Sequence, residues 1–289
     1  MVKIITISIL IASYITIAHP LVSVNIMNKT PKQGDAVWVK ITTSKKLRSG
    51  NISLSKATFK LFKKSNHHYE YLTCIGISRF LKPQKMYLKF SFAFNDGSRY
   101  QTQLPIVISA ANFTKEHIQL KPKKHKIKQD KPSRRNESRL IGRKFNTITK
   151  SKKFTGSFLW PLDGRISSEF GTQRIYNNRP GWSHSGIDIA AVTGTPIKAA
   201  QSGTVVLAKT LKVHGNTIMI NHGWGILTIY NHLNQLNVNI NDVVSKGDII
   251  GTVGSTGIAT GPHLHFGISV QSVRINPKDF VNITSKIPI

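Results

Sequence analysis

The chain has 289 residues, enough for two modest domains or one large one. Its 41 Lys and Arg against 12 Asp and Glu give a formal net charge of +29, which calls for a polyanionic neighbour such as nucleic acid, an anionic membrane or a cell-wall polymer. The single cysteine, Cys74, excludes an intrachain disulfide, so the fold rests on its apolar core and on any metal it holds.

The N-terminus narrows the choice of partner. Met1-Val2-Lys3 is a short positive head, and Ile4 to Ala18 is an uncharged, Ile-rich run. At roughly 15 residues the run is short for a membrane span and right for a signal-peptide core. Residues 1–23 therefore read as a signal peptide, cut after Ala18 or near Ser23, with an uncleaved N-terminal anchor as the alternative. No cysteine follows the run, so lipid attachment is not expected. Export demotes nucleic acid as the partner, and no stable membrane span is expected after cleavage.

Residues 24–118 read as short strands. Ala36-Val37-Trp38-Val39-Lys40-Ile41 alternates, as do Ala57 to Phe62 and Met86 to Phe92, and Gly34-Asp35, Ser49-Gly50-Asn51 and Asp96-Gly97 mark turns between them. Such spacing predicts a β-sandwich of the Ig-like kind. Cys74 lies in an apolar context and is expected as buried filler, and His67-His68 in a solvated polar loop. Residues 119–154 hold 14 Lys or Arg between Lys121 and Lys153, against only Asp130 and Glu137. With Pro122, Pro132 and no sustained apolar period, the segment is expected to be a solvated basic linker, flexible when free. It is equally suited to tether the chain to an anionic envelope polymer.

Residues 155–282 are dense in glycine, with short apolar runs at Gly203 to Ala208, Asn216 to Asn221, Leu227 to Tyr230 and Asp248 to Gly251, and without a convincing helical stretch. A compact antiparallel β domain is expected, followed by a tail at 283–289. The whole chain is thus expected to be all-β. Two pieces of this domain carry chemistry: His184-Ser185-Gly186-Ile187-Asp188, and Gly261-Pro262-His263-Leu264-His265-Phe266. On an extended chain, alternate side chains share a face, so His263 pairs with His265 and His184 with Asp188. Two imidazoles and a carboxylate converging on one point suit a catalytic zinc that keeps a fourth position for water. Of the three histidines, one is left over for proton transfer, and His232 is a further candidate.

Residues Trp160 to Phe280 resemble the lysostaphin-type (M23 family) zinc metallopeptidases, which cut peptidoglycan cross-bridges. The resemblance is carried by Gly164-Arg165-Ile166-Ser167-Ser168-Glu169-Phe170-Gly171, His184 to Ala190, Gly194-Thr195-Pro196-Ile197, Gly203-Thr204-Val205, Gly215 to His222, Tyr230-Asn231-His232-Leu233 and Gly254 to Gly267. It implies one zinc ion held by His184, Asp188 and His265, with His232 and His263 as the catalytic histidines, on an antiparallel β fold with a groove. All five positions are intact, which argues against the alternative of a non-catalytic wall-binding or hydrolase-activating protein of the same fold. The segment Phe170 to Asn178 resembles the arginine-containing variant typical of Gram-negative envelope enzymes. This favours the peptide stems of peptidoglycan, cut between D-Ala and meso-diaminopimelate, as substrate. Residues 24–118 resemble, less specifically, the β-sandwich often found before such domains.

No His-Glu-x-x-His pattern supplies a glutamate base, so proton transfer falls to His232 and His263. Arg174 either meets a substrate carboxylate or forms a fold-stabilising ion pair. Tyr230 reads as core or as support for the site rather than as a proton donor. With Arg174 it is a candidate substrate contact. His222 reads as structural.

Overall fold

The computed structural model describes residues 15–19, 21–64 and 69–286; the expected His67-His68 loop and all but the last four residues of the expected leader core, Ile4 to Ala18, lie outside them. The chain divides into two units, Met1–Ala111 and Asn112–Ile289.

The first unit holds β1 (Ile15–His19), β2 (Val22–Ile26), β3 (Ala36–Thr43), β4 (Leu47–Leu54), β5 (Ala57–Lys60), β6 (Phe62–Lys63), β7 (Glu70–Gly76), β8 (Gln84–Phe94) and β9 (Arg99–Ile108). They form two antiparallel sheets, β1-β2-β3-β7-β6 and β5-β4-β8-β9. The alternation read from the sequence sets the burial: Leu88, Phe90, Phe92 and Phe94 point inward along β8, and Trp38 of β3 is fully buried. Cys74 is buried on β7, and loss of solvent pushes its thiol pKa well up, as suits an inert filler. Ala18 and Ser23, the expected cleavage positions, face each other across the β1–β2 pair.

The second unit starts earlier than the sequence suggests. It holds β10 (Lys115–Ile118), α1 (Pro122–Gln129), α2 (Lys131–Phe145), β11 (Arg165–Ser168), β12 (Gln173–Tyr176), β13 (Arg179–Ser183), β14 (Ile187–Ala190), β15 (Pro196–Lys198), β16 (Gly203–Leu211), β17 (Gly215–Gly223), β18 (Ile226–Leu233), β19 (Gln235–Leu236), β20 (Val243–Val244), β21 (Ile249–Thr252), β22 (His263–Val270), β23 (Val273–Ile275) and α3 (Pro277–Thr284). The central sheet runs β11-β14-β22-β18-β17-β16-β20, with β23 on β22. Its pairings are antiparallel. Strand β10, placed by the sequence in the first domain, pairs in parallel with β12 instead.

Residues 119–154 do not stay a solvated linker. Asp130 caps α2, accepting from the Ser133 N–H at 3.0 Å, and Pro132 sits in the first turn. Glu137, Ile141 and Phe145 recur at every fourth residue and form the buried stripe of α2. Ile141 and Phe145 pack on Leu207, Leu211, Met219, Leu227 and Ile229 of the central sheet. With a carboxylate in one of three stripe positions and basic residues around it, the stripe does not register as an apolar period. Likewise α3 was not expected: Asn276 caps it through the Lys278 N–H at 3.1 Å, Pro277 opens it, and Phe280 and Val281 are buried. Among the described residues, no helix is long and apolar enough to cross a membrane.

Candidate active site

Strand register builds the centre of the site. Asp188 on β14 lies opposite His265 on β22, and Asn231 of β18 faces His265 from the other side. Directly opposed residues on an antiparallel pair present their side chains to one face at close range. His184, just before β14, completes the group. Gly186 makes the approach possible, because a Cβ there would lie 2.3 Å from the Phe266 carbonyl oxygen and 2.9 Å from the His265 ring.

His184, Asp188 and His265 are all buried, and their ligand atoms converge. His184 Nε2 lies 2.9 Å from His265 Nδ1 and 3.0 Å from Asp188 Oδ1, and His265 Nδ1 lies 2.9 Å from that same oxygen. Protonation follows from the partners. His184 Nδ1 lies 2.9 Å from the Glu169 carbonyl, which only accepts, so Nδ1 carries the proton and Nε2 turns a lone pair inward. Burial pushes the His265 imidazole down to about 3, and the adjacent Asp188 only partly opposes it. For Asp188 burial alone would raise the carboxyl, but His184 and His265 outweigh it and hold the pKa well below the usual range. Two imidazoles and a carboxylate whose ligand atoms converge are a donor set that fits a zinc-type cation.

His232 and His263 stand beside this cluster, their ring centres 4.9 Å apart, with His232 6.2 Å from His265. His232 Nδ1 lies 2.8 Å from the Thr256 carbonyl, and His263 Nδ1 lies 2.9 Å from the Gly261 carbonyl. A carbonyl only accepts, so each Nδ1 is the donor there and each Nε2 is left for other partners. Burial, reinforced by the neighbouring His263 and His265, pushes the His232 pKa well down. Both rings and Asp188 line a cavity of about 130 Å³, together with Glu116, Ile118 and Leu120.

The description "Peptidase family M23" matches residues 182–277. Those residues, a third of the chain, form a domain similar to the peptidases of that family. It is 40% identical over 114 residues to the DD-carboxypeptidase/endopeptidase Mpg of Neisseria meningitidis, covering 39% of this chain and 26% of that protein. It is 35% identical over 133 residues to the peptidoglycan DD-endopeptidase ShyA of Vibrio cholerae, covering 45% of this chain and 31% of that protein. The chain thus matches about a third or less of the length of these curated relatives. A crystal structure of an M23 peptidase from Pseudomonas aeruginosa aligns over 87% of this chain and 94% of its own, with a TM-score of 0.64 at 21% identity, a likeness of fold.

Within the M23 domain the structure brings His184, Asp188, His265, His232 and His263 together, and treats the two candidate substrate contacts differently. Arg174 lines the cavity but is already engaged: Nη2 contacts Asp188 Oδ2 and lies 3.0 Å from Ser168 Oγ, and Nε lies 3.3 Å from Glu116. Tyr230 is fully buried and off the cavity. Its hydroxyl accepts from the Ala200 N–H at 2.9 Å and lies 3.1 Å from Thr228 Oγ1. The expectation that Tyr230 contacts substrate is therefore set aside: its position on β18 turns it into the core. His222 is fully buried as well, with Nδ1 2.8 Å from the Ser202 carbonyl and Nε2 2.9 Å from Thr228 Oγ1, and burial pushes its pKa down to about 4. Sequence reasoning missed Glu116, whose carboxylate accepts from Ser168 Oγ at 2.8 Å, and Glu137. Their signal was their scarcity: Glu137 is one of two acids among 14 basic residues.

Proposed function

We propose that the chain is an exported zinc metalloendopeptidase that hydrolyses peptide cross-links of bacterial peptidoglycan, acting in the cell envelope on D-Ala to meso-diaminopimelate bonds. The observation that carries this reading is the convergence of three ligand atoms, from His184, Asp188 and His265, beside a cavity that Asp188, His232 and His263 line. A zinc ion held by His184, Asp188 and His265 would supply Lewis acidity and a water acidified toward neutrality.

The chain's own part is proton handling. Nε2 of His232 or of His263 accepts the proton of the attacking water. Once protonated, that imidazole donates to the departing amine, and the other can be aimed at the oxyanion that forms on the scissile carbonyl. Glu116 and Arg174 set one wall of the cavity with opposite charges, which suits a peptide stem bearing both carboxylates and amines. The names of the DD-endopeptidase relatives support peptidoglycan as the substrate. Exposed basic residues between Lys121 and Lys153 are proposed to hold anionic envelope polymer, and residues 24–111 to form an accessory β-sandwich.

The test is incubation of the zinc-loaded full chain with defined peptidoglycan, followed by mass spectrometry of the released muropeptides. Products with cleaved D-Ala to meso-diaminopimelate cross-links are expected, and none from the His265→Ala variant. Intact cross-links after incubation with metal-loaded wild-type protein would overturn the reading in favour of a non-catalytic wall-binding protein.

A further inference from the structure

His232 has an unusual backbone. Its φ is +67°, in the left-handed region that a non-glycine residue adopts only when its surroundings hold it there. It also lies where the β17–β18 register shifts, between the Asn216–Leu233 and Ile218–Tyr230 pairs, so the sheet ladder does not fix it. Its N–H donates to the His214 carbonyl at 3.1 Å, and its carbonyl accepts from the Thr256 N–H at 3.4 Å. Its aim therefore depends on two loops, 212–216 and 254–258.

These loops are interlocked. The Ile258 N–H donates to the Val213 carbonyl at 2.8 Å, and the Asn216 N–H donates to Thr256 Oγ1 at 2.9 Å. Gly257 (φ +66°) allows the contact, since a Cβ there would lie 2.4 Å from the Gly215 nitrogen. What fastens the pair to the rest of the unit comes from α2. The Glu137 carboxylate accepts from the Val213 N–H at 3.0 and 3.1 Å, from the His214 N–H at 3.2 Å and from His214 Nδ1 at 2.8 Å. Glu137 is buried, and the Ile141 and Phe145 contacts hold its helix on the central sheet. On α1, Lys124 adds a second fastening, with its ammonium donating to the carbonyls of Ser255 (3.0 Å) and Gly257 (2.5 Å).

We infer that Glu137, upstream of the residues matched to the family, is a positioning residue for the reaction: through His214 it sets the backbone that aims the His232 imidazole at the cavity. A carboxylate suits the task, because four short contacts from three donor groups need two oxygens with several lone pairs. The inference rests on the proposed catalytic role of His232.

The test compares Glu137→Ala and Glu137→Gln in the zinc-loaded full chain on a soluble cross-linked stem peptide. Glu137→Ala is expected to lower kcat by about tenfold or more with KM and zinc content unchanged, because misaiming a proton-transfer group is paid in the transition state. Glu137→Gln keeps one acceptor oxygen and restores part of the rate. In a His232→Ala background, Glu137→Ala is expected to cost nothing further, since both changes remove one function. Should Glu137→Ala fold poorly by circular dichroism, the cycle is run with Glu137→Gln. Unchanged kcat, or an equal loss with and without His232, would overturn the inference. A readout independent of turnover separates it from the functional reading. Imidazole nitrogen NMR should show the His232 signal displaced in Glu137→Gln while His263 stays put. That displacement in a protein without peptidase activity would keep the positioning role and overturn the function, and an undisturbed His232 signal would overturn the positioning role itself.

Discussion

Asp188 divides its two carboxylate oxygens between different partners: Oδ1 lies 2.9 Å from His265 Nδ1 and 3.0 Å from His184 Nε2, while Oδ2 contacts the Arg174 guanidinium. Arg174 thus fixes the rotation of a metal-ligand candidate and neutralises it from behind. Arg174→Ala is expected to weaken zinc affinity by about 10- to 100-fold. Competition with a chromogenic chelator measures this. Unchanged affinity with a raised KM would return Arg174 to substrate binding.

Metal binding and proton transfer should separate by mutation. His265→Ala is expected to lose zinc, read by metal analysis of the purified protein, together with activity. His232→Ala or His263→Ala is expected to keep zinc and lose about 10²-fold or more in turnover. Wild-type turnover in a zinc-loaded His263→Ala protein would remove that histidine from the mechanism.

Buried His222 makes stability depend on pH. Its pKa is about 4 when folded against 6.5 as a free side chain, so the unfolded chain binds the proton first. The stabilisation is complete above the unfolded value and is lost as pH falls from there toward the folded one. From about pH 7.5 to about pH 5 this amounts to roughly 2 kcal/mol. Denaturant melts at both pH values should show a drop that shrinks by about that amount in His222→Gln, whose amide can serve both partners. An equal drop in the two proteins would mean that His222 does not set the acid sensitivity.

Lys121, Lys123, Lys126, Lys131, Arg135 and Arg139 are exposed along α1 and α2. Neutralising them should weaken retention on purified sacculi mainly at low ionic strength, with cleavage of a small soluble peptide nearly unchanged. Sedimentation across a salt series checks the first, and a peptide assay the second. A raised soluble-peptide rate would instead assign the segment to covering the groove, where Ile118 and Leu120 already line the cavity.

The grouping of the candidate site residues was legible because they carry their geometry in the sequence. His263 and His265 alternate on one strand, and Asp188 needs only strand pairing to meet them. The strands of the first unit were legible for the same reason: Leu88, Phe90, Phe92 and Phe94 state which face is inside. What could not be read depends on partners distant in sequence. Glu137 looks like a stray acid until Val213 and His214 are beside it, and the parallel pairing of β10 with β12 leaves no local mark. Tyr230 was ambiguous because every residue of β18 is buried, so alternation carries no inside or outside there.

The α2 contact bears on how this chain can be divided. A fragment beginning at residue 155, where the sequence alone would start the catalytic domain, would lack Ile141 and Phe145 and lay Leu207, Leu211, Met219 and Ile229 open to water on one side of the sheet. Such a fragment would be prone to self-association, and the loop behind His232 would lose its carboxylate clasp. The second unit begins at Asn112, so recombination at that point would carry α2 and the sheet it covers together, whereas recombination at residue 155 would part them.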